Sequence, residues 1–186
     1  MVASPRTKKS LILKELVKKN GVNFYPGSLD NVLDRHIKAA EKFKIDPIIR
    51  ITADCPLIDP VLIDQVIRKY NRLKEQLDYF FIKGYPQGLG DIEIVTLEAL
   101  KRSARLTKKA PYLEHVITFI LENPSLFKVR ITKSPRRFYR PGLKLCVDEI
   151  ADLTLVRRIY RHFAPRIDFS FQEVIKYLDE KYKIRR

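Results

Sequence analysis

Cysteine is scarce in this chain, and no apolar run approaches the length that a bilayer requires. Cys55 and Cys146 are the only two cysteines among the 186 residues. Two cysteines are too few for a disulfide framework or a set of zinc ligands. Their apolar surroundings predict small buried thiols in a reducing cytoplasm. The amino terminus lacks the apolar core of a secretion signal, and a membrane-spanning helix needs about 20 apolar residues. We therefore expect a cytoplasmic protein that does not associate with membranes.

Common signatures of nucleic-acid binding are also missing, although the net charge is +15. There is no zinc-finger spacing, basic leucine zipper or paired aromatic RNA-binding motif. Positive charge is concentrated between residues 128 and 144, where no acidic residue occurs. The basic residues of this segment are Lys128, Arg130, Lys133, Arg136, Arg137, Arg140 and Lys144. Such a segment attracts polyanions, including nucleic acids, nucleotides and acidic sugars. It predicts an anion binder, and nucleic acid is an alternative partner rather than the expected one.

The length and the composition favour one folded domain over residues 1–186. Apolar residues make up 45% of the chain and charged residues 32%, as in soluble globular proteins. Helix-type and strand-type patterns alternate along the chain, which predicts an α/β fold. We expect strands over residues 1–4, 48–52, 78–82, 92–95, 127–132 and 143–147. An apolar stripe predicts a helix that begins before Leu11 and ends near Gly21, and a capping box at residues 170–173 predicts the last helix.

One motif, RITADCPLIDP at residues 50–60, carries the strongest functional signal. A β-branched run leads to Asp54, Pro56 ends the strand, and Asp59-Pro60 is typical of a helix start. In open α/β sheets, ligands bind beyond the carboxyl ends of the strands. Asp54 is therefore a candidate for contact with a metal-bound phosphate, and the alternative is that it only caps a turn.

A second carboxylate, Asp148, directly follows the predicted strand at residues 143–147. Both aspartates could project from the same edge of a sheet. Magnesium commonly binds one or two carboxylates and completes its octahedron with water and phosphate oxygens. The pair thus predicts a magnesium site that aligns a nucleotide phosphate for attack. The alternative, two unrelated helix caps, stays open on spacing alone.

Several short motifs together resemble the cytidylyltransferase family. They are GSLDNVLDR at 27–35, RITADCPLIDP at 50–60, GLGDIEIV at 88–95, EHV at 114–116, and VDE at 147–149 followed by Asp152-Leu153. Their order is that of the family, and they extend from Met1 to about Phe163. The subgroup they resemble most is the spore coat polysaccharide biosynthesis cytidylyltransferases, which are related to the synthetases that activate acidic sugars with CTP.

The resemblance implies a nucleotide-diphospho-sugar transferase fold, with a mixed and mostly parallel sheet in a three-layer α/β/α sandwich. It implies transfer of CMP from CTP to a sugar, with release of pyrophosphate and dependence on Mg²⁺. The partners would be CTP and the sugar, with a homodimer or a partner chain as a further expectation.

The resemblance also implies roles for individual residues. Asp54 and Asp148 would bind magnesium, with Lys144 beside the second, and Arg50 would orient Asp54 or pair with phosphate. Residues expected to contact the sugar are Asp91, Glu93, Glu114 and His115. A helix beside the nucleotide would carry Asp30, Asp34 and Arg35.

One family element has no counterpart in this sequence. Family members begin with a strand and a loop of the pattern Gln-Ala-Arg followed by Arg-Leu-Pro-Gly-Lys, which wraps the triphosphate. Residues 1–4 align instead with the family's second strand, which implies an amino-terminally truncated domain. The segment RPGLK at 140–144 superficially resembles the loop and is interpreted as a turn. Three hypotheses follow: a cytidylyltransferase, a non-catalytic or partner-dependent nucleotide-sugar-binding module of the same fold, and a basic nucleic-acid-binding protein.

Overall fold

The computed structural model describes residues 1–73 and 75–182. Helices and strands alternate along it, which confirms the predicted α/β class. In chain order the elements are β1 (Val2–Pro5), α1 (Lys9–Lys19), β2 (Phe24–Gly27), α2 (Val32–Phe43), β3 (Ile48–Arg50), α3 (Pro60–Arg72), β4 (Tyr79–Lys83), β5 (Glu93–Val95), α4 (Leu97–Leu106), α5 (Ala110–Glu114), α6 (Thr118–Glu122), β6 (Val129–Lys133), the 3₁₀ helix η1 (Arg136–Phe138), α7 (Ile150–Phe163) and α8 (Phe171–Tyr182).

These elements form two compact units, each assembled from separate stretches of the chain. The first contains Met1–Ile48, Gln76–Tyr79 and Val95–Val129, and the second contains Ile49–Glu75, Phe80–Ile94 and the chain from Arg130 onward. The prediction of one domain over residues 1–186 stays a prediction. Within the stretches 1–73 and 75–182, no helix is both long enough and apolar enough to cross a bilayer.

In the first unit, β1 and β2 pair in parallel, with Ala3 opposite Tyr25. Helix α2 packs against both strands and against α4 and α5. It begins at an Asn31 cap, whose side chain accepts the Asp34 N–H at 2.8 Å, and its Leu33 and Ala39 side chains are completely buried. An apolar stripe on a surface helix normally faces a core, so this helix supplies much of the unit's interior.

Helix α1 departs from the predicted amphipathic pattern. Val17 is buried, but Leu11, Ile12 and Leu16 are 58%, 76% and 58% exposed. The stripe that the sequence assigned to a core therefore lies on the surface of the first unit. The helix itself forms as predicted and ends at Asn20-Gly21, where Gly21 has a positive φ of 67°.

The second unit holds most of a four-stranded sheet with the strand order β3-β5-β4-β6. Strand β5 lies between β3 and β4, so Glu93 on β5 is beside Arg50 at the end of β3. Helix α3 buries Leu62 and Val66, and each large aliphatic side chain taken out of water contributes about 1.5–3 kcal/mol.

The strand predicted over residues 143–147 does not form. Only a parallel bridge between Gln87 and Lys144 is present. The backbone in this region bonds to two different loops: Leu145 N–H donates to Gln87 O at 2.7 Å, and Val147 N–H donates to Asp54 O at 2.8 Å. Because the N–H groups of Leu145 and Val147 donate to separate segments, the pairing with the Gln87 loop does not extend into a ladder. The strand predicted over residues 48–52 likewise ends two residues early, at Arg50.

A buried carboxylate joins two helix starts in the second unit. Asp59 is 5% exposed. One oxygen accepts the Val61 N–H of α3 at 2.6 Å, and the other accepts the Phe171 N–H of α8 at 2.8 Å. Ser170 and Glu173 also form the predicted capping box at α8, since Glu173 accepts the Ser170 N–H at 2.8 Å and Ser170 Oγ accepts the Glu173 N–H at 3.3 Å. Asp59 thus ties the RITADCPLIDP segment to the last helix.

We predict that Asp59→Ala lowers the free energy of unfolding by about 2–4 kcal/mol, because it removes two helix caps and strands a buried N–H. Urea denaturation followed by circular dichroism measures the change. Asp64→Ala, on the exposed face of the same helix, is the control and should change stability by less than about 0.5 kcal/mol. Equal midpoints for the two variants would contradict the bridging role.

Candidate active site

Two segments that are distant in sequence meet at the candidate site. Asp54 lies in a turn beyond β3, and its main-chain oxygen accepts the Val147 N–H at 2.8 Å. Asp148 is the next residue, directly ahead of α7. The structure therefore brings the backbones of the two predicted metal ligands side by side within the second unit.

Lys144 and Asp152 hold the Asp148 segment in place. Lys144 Nζ lies 2.9 Å from Asp148 Oδ2 and 2.7 Å from Asp152 Oδ2. Asp152 Oδ2 also accepts the N–H groups of Asp148 and Glu149, each at 3.0 Å. Hydrogen bonds from Lys144 lower the pKa of both carboxyl groups, so both stay ionised near neutral pH. Asp148 is therefore an anchored, solvent-accessible anion.

The pKa values of the two cysteine thiols reflect the negative charge of the nearby aspartates. Burial raises the pKa of Cys146, and the charges of Asp148 and Asp54 raise it further. Both carboxylates therefore lie within electrostatic reach of one sulfur atom. Burial raises the pKa of Cys55 to about 12, and its Sγ lies 3.5 Å from Asp54 Oδ1. Thiols with raised pKa values are poor nucleophiles at neutral pH, which agrees with the structural role expected for both.

A glycine loop between β4 and β5 packs directly against the Asp148 segment. Gly88 has a φ of +81°, and a Cβ added there would lie 2.3 Å from the main-chain nitrogen of Cys146. Its N–H donates to Asp91 Oδ2 at 2.6 Å. The adjacent residue Gln87 also links the loop to this part of the chain, because its N–H donates to Leu143 O at 2.8 Å. Only a residue without a side chain permits this approach, and the approach fixes where Asp91 points.

A cavity of about 450 Å³ opens beside this loop; we call it the polar pocket. Its polar lining consists of Arg50, Thr52, Tyr85, Gln87, Asp91 and Glu93. Phe81, Gly84 and Pro141 complete the wall. The volume is within the range of about 300–1,000 Å³ that small-molecule sites occupy.

Charge in the polar pocket is dominated by three side chains. Arg50 Nη1 forms a close ion pair with Glu93 Oε2, and the two side chains are 21% and 17% exposed. Burial raises the pKa of Asp91, and the charges of Glu93 and Asp54 raise it further. Arg50 thus contacts Glu93 rather than Asp54, and Asp54, Asp91 and Glu93 form a connected acidic region.

Five of the residues expected at the site belong to the first unit. Arg35 donates from Nη1 to Ser28 O at 2.6 Å, and its stem fills the space beside Gly27. Asp34 pairs with Lys38 at 2.8 Å. Asp30 is exposed, and Glu114 and His115 are exposed at the carboxyl end of α5. The nucleotide and sugar roles of these five residues stay predictions.

Several cations of the basic segment, residues 128–144, are paired with acids. Arg130 pairs with Glu75 at 2.9 Å. Arg140 is 7% exposed, and its guanidinium donates to Asp179 Oδ2 at 2.7 Å and to two main-chain oxygens. Residues 141–142 form a turn, as the RPGLK segment predicts. These ion pairs neutralise part of the positive charge of the basic segment.

Oxygen donors suit a hard cation at this site. Over residues 1–73 and 75–182, no three His, Cys, Asp or Glu side chains are arranged to hold a metal ion together. The two carboxylates predicted as metal ligands, Asp54 and Asp148, supply oxygen donors, and Mg²⁺ commonly binds one or two carboxylates and takes water and phosphate oxygens for the rest. The donor set thus fits magnesium in the company of a phosphate ligand and does not fit a closed, all-protein metal centre.

Sequence reasoning missed three residues that line the polar pocket, and it gave no role to a fourth, Asp152, which it quoted only as part of a family motif. Thr52, Tyr85 and Gln87 line the polar pocket, and nothing in their local pattern distinguishes them from ordinary loop residues. Asp152 holds the Asp148 turn in place, and the sequence contains a signal for this role. Glu149 and Asp152 occupy the two positions of a capping box, and both hydrogen bonds of the box form at the start of α7.

Comparison with known proteins identifies the family. The family model for cytidylyltransferases matches residues 1–176. The chain belongs to the cytidylyltransferase family. It is 35% identical over 185 residues to the uncharacterized protein MJ1063 of Methanocaldococcus jannaschii, covering all of this chain and 74% of the relative. It is 33% identical over 162 residues to the spore coat polysaccharide biosynthesis protein SpsF of Bacillus subtilis, covering 87% of this chain and 66% of the relative.

A solved structure supports the same assignment. The structure of a cytidylyltransferase from Leptospira borgpetersenii matches with a TM-score of 0.87 at 25% identity. The match covers 96% of this chain and 75% of the other. The predicted resemblance and the predicted fold are therefore confirmed, and the chain spans about two thirds to three quarters of the length of the relatives it matches.

We predict that Gly88→Ala destabilises the protein by at least about 2 kcal/mol, because a Cβ would strain the positive φ and collide with backbone. Gly142→Ala is the matched control, since a Cβ there meets nothing within 4 Å, and it should shift stability by less than about 0.5 kcal/mol. Urea denaturation of both variants provides the measurement. A Gly88 variant as stable as the Gly142 variant would show that the close approach is not required.

A pH-dependent prediction concerns Asp91. Because burial raises its pKa, the folded state binds this proton more tightly than the unfolded state. Stability is therefore lost as pH rises from the ordinary carboxyl pKa through the raised one. Asp91→Asn removes this loss and keeps an acceptor for the Gly88 N–H.

The stability of Asp91→Asn relative to the parent should thus increase between acid and neutral pH. Chemical denaturation at a series of pH values measures the difference. Asp64→Asn, an exposed carboxyl change, should give a flat difference. A flat profile for Asp91→Asn as well would contradict the burial of this carboxyl group.

Proposed function

We propose that this cytidylyltransferase transfers CMP from CTP to a sugar, with release of pyrophosphate and dependence on Mg²⁺. The observation that carries the proposal is the hydrogen bond from Val147 N–H to Asp54 O, which joins the segments that bear the two candidate metal ligands. Membership of the family supports the nucleotide. A cavity of about 450 Å³ lined by Thr52 and Asp91 among other polar residues supports a small polar acceptor.

In this mechanism Asp54 and Asp148 would hold the metal ion. A bound magnesium ion would neutralise the phosphate charge that develops during transfer. Lys144 keeps Asp148 ionised and anchored through a pair of 2.9 Å, and Asp152 fixes the turn below it. These residues bind and orient, and no covalent intermediate on the protein is required.

The polar pocket would receive the sugar. A hydroxyl oxygen of the sugar attacks the α-phosphorus of CTP, and the bond from the α-phosphorus to the bridging oxygen breaks as pyrophosphate leaves. We assign the hydroxyl proton to Asp91, because burial raises the pKa of this carboxylate and a base with a raised pKa accepts protons more readily. Glu93, held by Arg50, would accept hydrogen bonds from other hydroxyl groups. Glu114, His115, Asp30, Asp34 and Arg35 keep their predicted contacts with sugar and nucleotide as part of the proposal.

The product would enter the synthesis of a polysaccharide. The support is similarity to a relative named for spore coat polysaccharide biosynthesis, at 33% identity. Since the chain spans 74% and 66% of the length of two relatives, the activity of the whole relatives is proposed here rather than transferred. A homodimer or a partner chain, and a cytoplasmic location, likewise stay predictions.

The non-catalytic alternative makes a different prediction. A binding module of the same fold would bind CTP or a nucleotide sugar but release no pyrophosphate. Isothermal titration with CTP and Mg²⁺, together with a pyrophosphate assay, separates the two. The nucleic-acid alternative requires binding whose logarithm falls steeply with the logarithm of salt concentration, and the pairing of Arg130, Arg140 and Lys144 with acids disfavours it.

We predict that Asp54→Asn and Asp148→Asn each reduce magnesium-dependent pyrophosphate release at least about a hundredfold, since each removes charge that stabilises the transferred phosphate. The fold should persist, because Asp54 bonds to Val147 through its main chain. Asp64→Asn is the control and should keep parental activity. Unchanged turnover in both site variants would end the assignment.

A further inference from the structure

A second cavity in the second unit has no part in the transfer proposed above. It measures about 510 Å³ and is lined by Arg136, Arg137, Tyr139 and Arg140; we call it the arginine pocket. Among the described residues, its lining and that of the polar pocket share no member. Three guanidinium groups and one phenol hydroxyl group thus surround a separate space.

The buried Arg140 holds the frame of the arginine pocket. Its guanidinium donates to both carboxylate oxygens of Asp179, at 3.3 and 2.7 Å. It also donates to the main-chain oxygens of Arg137 and Tyr139, at 3.4 and 3.1 Å. Arg140 is therefore neutralised by an acid of α8, and it fixes the backbone that carries the other lining side chains.

The other two arginines have no such acidic partner. The ion pairs described within residues 128–144 use Arg130, Arg140 and Lys144, and none of those pairs includes Arg136 or Arg137. The Arg136 side chain is exposed. Two cations of the lining are thus available to an anionic ligand.

Aromatic stacking orients one of these two cations. The Arg137 guanidinium lies 4.5 Å from the centre of the Phe138 ring. Phe138 in turn packs against the buried Phe171, with ring centres 4.8 Å apart. A guanidinium stacked on an aromatic ring keeps its planar fork of N–H donors pre-organised. Arg137 can therefore bind an anion without first ordering its side chain.

Charge and size together indicate the ligand. Three arginines and one acidic partner leave the arginine pocket with a formal charge of +2. Asp54 and Asp148, the proposed magnesium ligands, do not belong to this lining, so the count does not depend on a metal ion. A phosphomonoester carries a charge of about −1.5 to −2 near neutral pH, whereas one carboxylate balances only half of the lining charge.

The volume distinguishes a phosphorylated molecule from a bare ion. About 510 Å³ lies within the range of about 300–1,000 Å³ that sites for whole small molecules occupy. A phosphate ion would leave most of this space to water. The ring and hydroxyl group of Tyr139, which is 43% exposed, can pack against and hydrogen-bond to a polar body attached to the phosphate.

We propose that the arginine pocket is a second ligand site, which binds a phosphomonoester of a polar molecule the size of a monosaccharide. Arg136 and Arg137 donate to the phosphoryl oxygens, because guanidinium forks match phosphate in a bidentate manner. Arg140 positions the loop, and Tyr139 contacts the body of the ligand. Binding at this site does not depend on the proposed transfer of CMP.

Two substitutions and a charge-matched control test the site. Arg136→Gln and Arg137→Gln each remove one guanidinium at an exposed position, so the fold should persist. Arg157→Gln is the control, because Arg157 is exposed on α7 and lies outside the described lining of the arginine pocket. All three changes lower the net charge equally. The comparison therefore separates a defined site from the general attraction of anions to a chain with a charge of +15.

The experiment titrates the full chain in metal-free buffer without CTP, at physiological ionic strength. The probes for isothermal titration are glucose 6-phosphate, inorganic phosphate, glucose, glucuronate and a short single-stranded DNA. We expect glucose 6-phosphate to bind at least about tenfold more tightly than phosphate, glucose or glucuronate. Arg136→Gln and Arg137→Gln should each weaken its binding at least about tenfold, the loss expected for a hydrogen bond to a charged group. Arg157→Gln should weaken it less than about twofold.

Amide chemical shifts of the parent locate the binding independently of the variants. On addition of glucose 6-phosphate, the changes should be largest over residues 134–140. Changes centred on Asp54 and Asp148, an equal loss of affinity in Arg157→Gln, or no binding by the parent would overturn the site.

Two further outcomes would overturn the ligand class. Inorganic phosphate that binds as tightly as glucose 6-phosphate would show a site for the ion alone. Tighter binding of the DNA, with a steep dependence on salt, would assign the arginines to nucleic acid. Since these experiments measure binding without CTP, a failure of the proposed transfer reaction would leave their outcome unchanged.

Discussion

The main-chain hydrogen bond from Val147 to Asp54 is the constraint on which the site depends. It joins a turn beyond β3 to the segment ahead of α7, at 2.8 Å, and so sets two carboxylate-bearing residues next to each other. Because the bond uses backbone groups, it does not involve the side chains of Asp54 and Asp148, and Asp148 forms its ion pair with Lys144 instead. The neighbouring loop depends on the same segment, since Gly88 lies against the backbone of Cys146.

The site combines anchored and adjustable charges. Lys144 and Asp152 hold Asp148 ionised at the surface, whereas burial favours the protonated form of Asp91. Two carboxyl groups with pKa values displaced in opposite directions suit different tasks, and in the proposed mechanism these are metal binding for Asp148 and proton transfer for Asp91.

Much of the fold and part of the site could be predicted from the sequence. Helix α3 could be predicted because Asp59-Pro60 is a local signal for the start of a helix. Helix α4 could be predicted because its apolar residues recur at helical spacing. The sequence could not show that the strand predicted over residues 143–147 does not form, because this depends on which loops the N–H groups of the segment reach. The exposed stripe of α1 has the same pattern as a buried one, and periodicity does not tell what covers a face. Thr52, Tyr85 and Gln87 were missed because their importance comes from tertiary proximity alone.

Asp59 links helix α8 to the segment that contains Asp54. Its two oxygens serve the first turns of α3 and α8 together, and it belongs to the same short segment as Asp54. The first turn of α8 is therefore joined to the segment that carries Asp54 through one buried acid. Substitutions or tags near α8 should accordingly be tested for their effect on the Asp54 segment as well as on solubility.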